Sequence, residues 1–596
     1  MSKEKLIKKP SGEGKPSILN TVLPYVVSAV LTFVFLLAVF KLDLNKILIP
    51  FQYSGDYLFT SSAVKGIIEN GWYFNNPFLG TPTGQIMFDY PNSDVLNIIL
   101  IKIITLFTHN WVLVINIYFL LTFFFTAFTS LYVFKKLGIT TPVSIAGSLL
   151  YAFIPYHVMR GVGQLFLSAY FMIPLAVLVL LWLFEDIPPF YKKNKKGKIA
   201  FSLFEKRGLI STVTCLFISC SGVYYSFFVI FLMFIVSMIL LVRKKKLKNI
   251  AVTICLIALI GLGVIANLSP SIYYQKNKGP NPITVRNAIS SEIYGLKIIQ
   301  MLLPIDTHRI SKLNKFKEVY SESGFIINEN RCASLGLYSS LGFIVLIFAL
   351  LGGFGGLLLQ NLSRLNASCL VLALVGGFSS IIAFIFPQIR AYNRISIIIA
   401  FFSLLAFLMF IDKAFVFLRE KSLNKLAYSA LLLILIFGIY DQTSREFIPN
   451  YEFNQKEYES DRSFVFNIEK SVPTGSKIFQ LPYMYFPEHP GIVKLCDYQL
   501  FRGYLHSKNL FWSYGAIKGR EGDLLLKRMS SLPVDVLLKE IAKKGFNGVY
   551  INRLGYEDSG AGLEKEIINV LGAQPLVSLN KNMVFFNMLD YNKKLK

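Results

Sequence analysis

The first 440 residues alternate between long apolar runs and polar segments. A helix needs about 20 apolar residues to cross a bilayer, and a run of about 34 with basic residues at both ends fits a hairpin of two crossings. The runs are Thr21–Phe40, Trp111–Phe134, Thr141–Val158, Phe166–Phe184, the hairpin Leu209–Val242, Ile250–Leu268, Leu335–Leu359, Cys369–Phe386, Ile395–Ile411 and Leu426–Tyr440. The pattern predicts a polytopic α-helical membrane protein with about 11 transmembrane helices.

From Asp441 the pattern changes to that of a soluble α/β domain. Alternating apolar positions predict three strands and an intervening amphipathic helix. The strands are Ser476–Leu481, Gly548–Asn552 and Asn582–Met588, and the helix is Val534–Lys544. We therefore predict a transmembrane domain over residues 1–440 and a soluble α/β domain over residues 441–596.

The positive charge is concentrated in the membrane part. Residues 441–596 carry 21 Lys and Arg against 18 Asp and Glu, a net +3 of the chain's +26. The remaining basic residues form short clusters between apolar runs, which is how a multispan protein is oriented, so no nucleic-acid partner is expected. The Lys-rich N-terminus is then cytoplasmic. Loops 41–110 and 270–334 and the C-terminal domain lie on the other side.

The loop at 41–110 holds the carboxylates Asp56, Asp89 and Asp94 in a chain that is otherwise poor in acid. A polar loop of this length between membrane spans is typically functional. The apolar run Val95–Phe107 is too short to cross and predicts a helix lying on the outer surface. The turn of the 209–242 hairpin would lie below that surface, where irregular backbone requires cover by protein or by a water-filled cavity.

Arginines face this loop from two other segments. His157 and Arg160 follow the third span, and Arg390 and Arg394 precede a late one, all predicted on the outer face. A carboxylate beside arginines fits the transfer of a sugar from a lipid phosphate, because the acceptor hydroxyl needs a general base. The phosphate leaves without a general acid, and the planar donor fork of Arg suits its oxygens better than Lys does.

The acidic first loop, the surface helix and the segment Ile389–Arg394 resemble the GT-C superfamily of polyprenyl-phosphate-dependent glycosyltransferases. The strings Phe479–Glu488 and Trp512–Arg520 resemble the C-terminal extracytoplasmic module of a bacterial family of sugar or phosphoglycerol transferases. The resemblance implies a bacterial inner-membrane enzyme that moves a hexose or pentose from a polyprenyl phosphate to a glycan or lipid acceptor. Several relatives have an Asp after the third span; here the region reads Tyr156–Arg160, which leaves the donor sugar and any metal open.

The roles expected for individual residues follow from this chemistry and this resemblance. The set comprises Asp56 as the catalytic base, Arg390, Arg394 and Arg160 on the donor phosphate, His157, Tyr90 and Trp512 on the substrates, and Asp56 with Asp89 on a Mg²⁺ or Mn²⁺ ion. The Val95–Phe107 helix returns Asp89 to the membrane surface, where it is expected to lie beside Asp56, and nearby cations are expected to keep Asp56 ionised.

Each of these residues also has a purely structural interpretation. Asp56 would cap a helix that starts at Tyr57, and Asp94 would cap the surface helix. Asp89 would serve a turn, and the histidine and arginines would anchor the protein at lipid headgroups. Trp512 would stabilise its own domain. Two other functions remain as alternatives: a non-catalytic lipid or glycan translocase, and a phosphoglycerol transferase.

Overall fold

The computed structural model describes residues 18–244, 246–284, 286–323 and 329–595, so the Lys-rich stretch 1–15 lies outside the described residues. The helices up to residue 442 are α1 (Ile18–Phe40), α2 (Asp56–Asn70), α3 (Val95–Thr105), α4 (Trp111–Lys136), α5 (Thr141–Ala152), α6 (Pro155–Arg160), α7 (Leu165–Ser168), α8 (Ile173–Leu183), α9 (Lys206–Ser219), α10 (Val223–Lys244), α11 (Leu247–Lys278), α12 (Ser290–Ile293), α13 (Ile298–Leu302), α14 (Ser311–Ser323), α15 (Leu337–Gly352), α16 (Leu357–Ala373), α17 (Phe378–Ile385), α18 (Ser396–Glu420) and α19 (Asn424–Gln442). Short antiparallel strand pairs are β1 (Asn75–Asn76) with β2 (Gln85–Ile86) and β3 (Tyr191–Lys193) with β4 (Ile199–Phe201).

Fewer helices than predicted are long enough to cross a membrane. Among the described residues seven helices qualify by length and composition, or eight if α15 and α16, which meet at a bend of 102°, form one broken span. The seven are α1, α4, α5 with α6, α10, α11, α18 with the turn before it, and α19. The structure shows a multi-pass helical protein but does not confirm 11 crossings.

The shortfall arises where apolar runs are broken into shorter helices. α8 has 11 residues, α9 has 14 and α17 has 8. At 1.5 Å per residue none of the three reaches the thickness of about 30 Å of a bilayer core. Hydropathy counts apolar residues and does not detect the turns that interrupt them.

The membrane helices pack closely at a few defined points. Asn110 caps α4 by accepting hydrogen bonds from the backbone N–H groups of Val112 and Leu113. Gly342 on α15 lies against the Ser403 carbonyl of α18, where a Cβ would come within 1.8 Å of the oxygen, so only glycine permits this approach. α3 leaves Ile99, Ile103 and neighbouring apolar side chains exposed, as a helix lying on a membrane surface requires.

The C-terminal region (residues 443–595) contains a five-stranded sheet. Its strands are β5 (Lys477–Leu481), β6 (Phe511–Trp512), β7 (Phe546–Asn552), β8 (Leu576–Val577) and β9 (Met583–Asn587), in the order β6-β5-β7-β9-β8. Its helices are α20 (Tyr451–Ser471), α21 (Phe501–His506), α22 (Glu521–Ser530), α23 (Val534–Lys543), α24 (Ala561–Leu571) and α25 (Leu589–Leu595). β5, β6 and β7 are parallel, whereas β9 is antiparallel to its neighbours. The three predicted strands and the predicted helix are confirmed.

The C-terminal region packs directly on the first loop (residues 41–110). Backbone N–H groups of Gly80 and Thr81 donate to the carbonyls of Tyr514 and Trp512 at 2.9 and 3.1 Å. The Arg520 guanidinium donates two hydrogen bonds of 2.7 Å to the buried Asp89 carboxylate. The C-terminal region also contributes residues between 485 and 498 to the wall of the cavity described next.

Candidate active site

A cavity of about 890 Å³, here called the central cavity, lies between the first loop, the hairpin turn and the C-terminal region. The turn predicted to lie over a cavity lines it through Ser221, Gly222 and the residues after them. The charged residues on its wall are Asp56, Asp94, Arg286, Glu329, Arg390, Arg394, Glu488 and Asp497. The sequence predicted Asp56, Arg390 and Arg394 as site residues, and the structure brings these three together.

Asp56 is the first residue of α2 and follows the N-cap Gly55, which has φ of 57°. Asp56 is therefore not the cap, and its carboxylate is exposed to the lumen of the central cavity. The surrounding protein desolvates the carboxyl and raises its pKa, and Glu329 and Glu488 add to the rise. A hydrogen bond from Gln164 and the charge of Arg394 oppose it. Desolvation therefore outweighs the nearby cation in setting the pKa of Asp56, and the expectation that Asp56 stays ionised remains a prediction.

Glu329 lies between two arginines and fixes both. Arg160 Nη1 donates to Glu329 Oε2 at 2.7 Å, and Arg394 donates from Nη2 and Nε at 3.0 and 3.2 Å. Burial alone would raise the pKa of Glu329, but the two guanidinium groups lower it to about 2. Arg160 also hydrogen-bonds to the side-chain oxygen of Gln164, the residue whose side chain contacts Asp56.

This pairing changes the expected role of Arg160. Its side chain is only 1% exposed, and it lines a separate cavity of about 520 Å³ rather than the central one. A buried guanidinium occupied by Glu329 and Gln164 is not free to bind a donor phosphate. Arg160 therefore contacts Glu329 and Gln164, which in turn contact Arg394 and Asp56.

Arg390 belongs to a second charged group at the other end of the cavity. Its Nη2 donates to Glu488 Oε1 at 3.2 Å, and its guanidinium lies 5.0 Å from the centre of the Tyr294 ring. The Tyr90 hydroxyl, also on the cavity wall, donates to Glu488 Oε2 at 3.2 Å. Tyr90 therefore faces the same space as Arg390, and its contact with substrate stays a prediction.

Two further carboxyls of the cavity wall have raised pKa values. Desolvation raises the pKa of Asp94 to about 7, against a hydrogen bond from Asn97 and the charge of Arg394. Desolvation likewise raises the pKa of Asp497 to about 6, opposed by hydrogen bonds at Tyr498 and His489. Asp94 precedes α3 but accepts no capping hydrogen bond, so its side chain does not act as the predicted cap.

Asp89 does not join Asp56. Its carboxylate is 0% exposed and is held by Arg520, with the Asn281 amide 3.4 Å away. The described residues contain no group of three or more His, Cys, Asp or Glu side chains arranged to hold a metal ion. Asp56 and Asp89 therefore do not fit the predicted Mg²⁺ or Mn²⁺ site, because the arginine satisfies Asp89 and holds it away from Asp56.

Two predicted substrate contacts are buried instead. His157 is 0% exposed, its ring lies 3.7 Å from that of Phe123, and its nitrogens contact Thr122 and the Ala152 carbonyl. Trp512 is 0% exposed in β6, with its ring against Tyr550. Neither side chain reaches the central cavity, so both predictions are corrected to packing roles.

Sequence reasoning missed Glu329, Arg286, Asp497 and Gln164. All four lie in loops or short turns, where the sequence carries no periodic signal. Glu488 is the last residue of the string Phe479–Glu488. The resemblance of that string to the C-terminal module is the sequence signal that could have indicated Glu488. The second loop was predicted as a large polar loop, and Glu329 is one of the few acids in it.

No protein-family model matches this sequence, and no curated protein sequence matches it. Several solved structures are similar to this chain in fold. ArnT from Cupriavidus metallidurans, bound to undecaprenyl phosphate, aligns with a TM-score of 0.51 and 10% identity over 96% of this chain and 98% of that chain. The archaeal oligosaccharyltransferase AglB from Archaeoglobus fulgidus, in complex with an inhibitory peptide and a dolichol-phosphate, gives a TM-score of 0.47 and 11% identity over 96% and 75%.

The arabinofuranosyltransferase AftD from Mycobacteria gives a TM-score of 0.42 and 12% identity over 90% of this chain and 35% of that chain. At such identities similarity of structure establishes the fold, and the site must carry the function. The chain shares the fold of ArnT, as the predicted resemblance to GT-C proteins implies, and seven of its described helices are long and apolar enough to cross a membrane. The likeness to ArnT extends over nearly the whole of both chains, and so includes the C-terminal region.

Proposed function

We propose that this protein is a membrane glycosyltransferase that moves a sugar from a polyprenyl phosphate to a glycan or lipid acceptor of the cell envelope. The observation that supports it most directly is that Asp56, Arg390 and Arg394 line one cavity. The GT-C fold supports the same reaction class, and ArnT of this fold was solved with undecaprenyl phosphate.

In this proposal Asp56 accepts the proton of the acceptor hydroxyl as its oxygen bonds to the anomeric carbon. The bond between that carbon and the phosphate oxygen breaks, and the lipid phosphate leaves as an anion. Arg390 and Arg394 stabilise the phosphate charge through the fork geometry of their donors. Because its pKa is raised, the ionised Asp56 carboxylate is a stronger base than a fully solvated aspartate.

Arg160, Glu329 and Gln164 hold this arrangement in place. Glu329 fixes Arg394 from one side, and Gln164 spans Arg160 and Asp56. Tyr90 forms part of the wall for the substrates. We assign residues 1–440 to the transmembrane domain in a bacterial inner membrane and residues 441–596 to an extracytoplasmic domain. The alternatives, a translocase and a phosphoglycerol transferase, are not favoured by the structural comparison.

The test is transfer by the purified full-length protein in nanodiscs. It is supplied with radiolabelled undecaprenyl-phosphoryl hexoses and pentoses and with envelope lipids and glycans as acceptors. We expect labelled product with at least one donor, and at least about 10²-fold less product from the Asp56→Asn protein. No consumption of any polyprenyl donor by a folded wild-type protein would contradict the proposal.

A further inference from the structure

The segment between α8 and α9 folds as a short hairpin, here called the basic hairpin, which consists of β3, β4 and the turn between them (residues 191–201). Tyr191 pairs with Phe201 in antiparallel register. Asn194 closes the turn: its backbone N–H donates to the Lys198 carbonyl at 2.9 Å, and its side-chain oxygen accepts from the Lys198 N–H at 2.9 Å. The lysines of this segment are therefore presented by a hydrogen-bonded backbone.

The basic hairpin and the start of α9 carry an excess of positive charge. Residues 185–207 contain seven Lys and Arg against three Asp and Glu. The five lysines of the hairpin all have exposed side chains; they are Lys192, Lys193, Lys195, Lys196 and Lys198. Two of the three carboxylates are already paired, Glu185 with Arg207 at 2.6 Å and Asp186 with Lys246 at 2.7 Å. The acids of this stretch therefore do not balance its lysines.

Cations from neighbouring helices extend this charge. Lys136, at the end of α4, lies close enough to Lys206 and Arg207 for their charges to interact. Lys248, near the start of α11, lies over the Tyr191 ring at 5.6 Å from its centre. Three helix ends and the basic hairpin thus form one positive surface, on the side of the membrane that the sequence predicts to be cytoplasmic.

Apolar side chains beside these lysines are exposed as well. Phe201, Leu203 and Phe204 are 63%, 56% and 81% exposed. The base of the hairpin is packed against α9, because a Cβ on Gly208 would lie only 2.5 Å from the Phe190 ring. The three exposed apolar side chains are therefore held next to the beginning of α9.

α9 continues the same apolar surface. Its exposed apolar side chains are spaced three or four residues apart, which places them on one face of the helix; they are Leu209, Val213, Leu216 and Phe217. At 1.5 Å per residue the 14 residues of α9 extend about 21 Å, about 9 Å less than a bilayer core. The exposed side chains of residues 201–204 add apolar surface at the end where α9 begins.

We propose that the basic hairpin is an anchor for anionic phospholipids, in which Phe201, Leu203 and Phe204 enter the bilayer interface and the lysines bind the headgroups. Segments with Lys on one side and Phe or Leu on the other are typical of attachment in the plane of a membrane surface. Each Lys near an anionic leaflet strengthens such attachment by about fivefold.

This role differs from the orienting effect of basic loops, which acts while the protein inserts and does not require exposed apolar side chains. A nucleic acid or an acidic protein would also match the lysines. Either would have to bind a surface that continues into the lipid-facing side of α9, so the lipid surface matches the whole feature better. The inference does not depend on the proposed sugar transfer.

The test is hydrogen exchange at the amides of residues 192–204 in the purified full-length protein in nanodiscs. The discs contain phosphatidylcholine alone or equal parts of phosphatidylcholine and phosphatidylglycerol, at low and at high salt. The charge variant combines Lys192→Gln, Lys193→Gln, Lys195→Gln and Lys196→Gln. Its matched control makes the same change on exposed lysines of the C-terminal region: Lys539→Gln, Lys544→Gln, Lys565→Gln and Lys594→Gln. The apolar variant is Phe204→Ser, with the exposed Phe466→Ser as its control.

We expect the wild-type amides to exchange at least about tenfold more slowly in discs with phosphatidylglycerol than in phosphatidylcholine alone. High salt should remove this difference, because it screens the headgroup charge. The charge variant should lose the difference, and its control should keep it. Phe204→Ser should exchange faster than wild type in both kinds of disc, whereas Phe466→Ser should not.

Equal exchange of the wild-type amides in the two kinds of disc overturns the proposal and leaves the surface to a soluble partner or to orientation alone. A lipid difference that persists in an inserted charge variant also overturns it, because the anionic lipid then acts elsewhere. If the charge variant does not insert, the other two measurements decide. A wild-type difference that high salt leaves unchanged, or wild-type exchange rates in Phe204→Ser, then overturns the proposal.

Discussion

Arg520 in the C-terminal region and Asp89 in the first loop, 431 residues apart, form a two-hydrogen-bond ion pair with both bonds at 2.7 Å. The Asp89 carboxylate is fully buried, whereas Arg520 is partly exposed. The pair joins the C-terminal region to the loop that carries Asp56. It also explains why Asp89 takes no part in the central cavity.

Arg520→Met should destabilise the protein by about 3 kcal/mol, because it leaves a buried charge unpaired. Hydrogen exchange at the amides of Gly80 and Thr81, which bond to the C-terminal region, should become faster. Arg553→Met is the matched control, since Arg553 binds Glu564 with the same two-bond geometry within the C-terminal region.

Adding Asp89→Asn to Arg520→Met should recover part of the lost stability, as the buried charge is removed together with its partner. Unchanged exchange at Gly80 and Thr81 in Arg520→Met would argue against a joining role. Activity that needs Mg²⁺ or Mn²⁺ in the wild type and loses that dependence in Asp89→Asn would restore Asp89 as a metal ligand.

Asp56→Asn should insert and fold normally, with sugar transfer reduced at least about 10²-fold, the lower end of what general base catalysis contributes. Asparagine keeps the size of the side chain but does not accept a full proton. Asp43→Asn is the control, since Asp43 lies in the same loop and pairs with Lys46 at the surface.

The pH dependence of kcat/KM tests the same residue. Because the Asp56 pKa is raised and the base acts in its ionised form, activity should rise with pH through a value above the ordinary Asp range. Near wild-type transfer by the Asp56→Asn protein would assign the base to another carboxyl. So would a wild-type pH profile in which kcat/KM falls only at the ordinary pKa of Asp.

Arg390→Lys and Arg394→Lys should each reduce transfer at least about tenfold, because a point charge does not reproduce the donor fork on a phosphate. Arg394→Lys should be the more severe, since Arg394 also makes two hydrogen bonds to Glu329. The exposed Arg445 supplies the control, Arg445→Lys. Normal turnover and donor affinity in both cavity variants would reduce these arginines to headgroup anchors.

Asp94→Asn should stabilise the protein at pH 8 relative to wild type, and do so less at pH 5. The folded protein holds the Asp94 proton up to a pKa of about 7, whereas the unfolded chain releases it near 3.8. Stability is therefore lost as pH rises between these values, by an upper limit of about 4 kcal/mol. Melting temperatures at both pH values measure the effect, with the exposed Asp590→Asn as control. Equal shifts at pH 5 and pH 8 would contradict the raised pKa.

Reporter fusions after Gly197 and Lys421 should report the cytoplasm, and fusions after Asn314 and Ser530 the opposite side. The physical reason is that short basic loops stay in the cytoplasm during insertion. Each fusion is compared with the same reporter on a protein of known topology. A reversed signal at any of the four positions would overturn the predicted orientation.

The sequence by itself determined the features that depend on neighbouring residues. Apolar runs gave the membrane class, and alternation gave strands β5, β7 and β9, because periodic burial follows directly from backbone geometry. The short apolar helix α3 and the turn before α10, which lines the central cavity, followed from run lengths. That Asp56, Arg390 and Arg394 lie together could be predicted because loops between spans are short enough to hold charges near one membrane face.

Only the tertiary structure decided which charges meet. Asp89 was expected beside Asp56, but Arg520 binds it from the far end of the chain, and no local pattern records a partner 431 residues away. Contacts between distant parts of the chain also bury His157 and Trp512. They likewise place Glu329 and Glu488 between arginines. Charge pairing and desolvation depend on three-dimensional packing, so the pKa of Asp56 and the pairing of Glu488 with Arg286 and Arg390 follow from the fold and not from the sequence pattern.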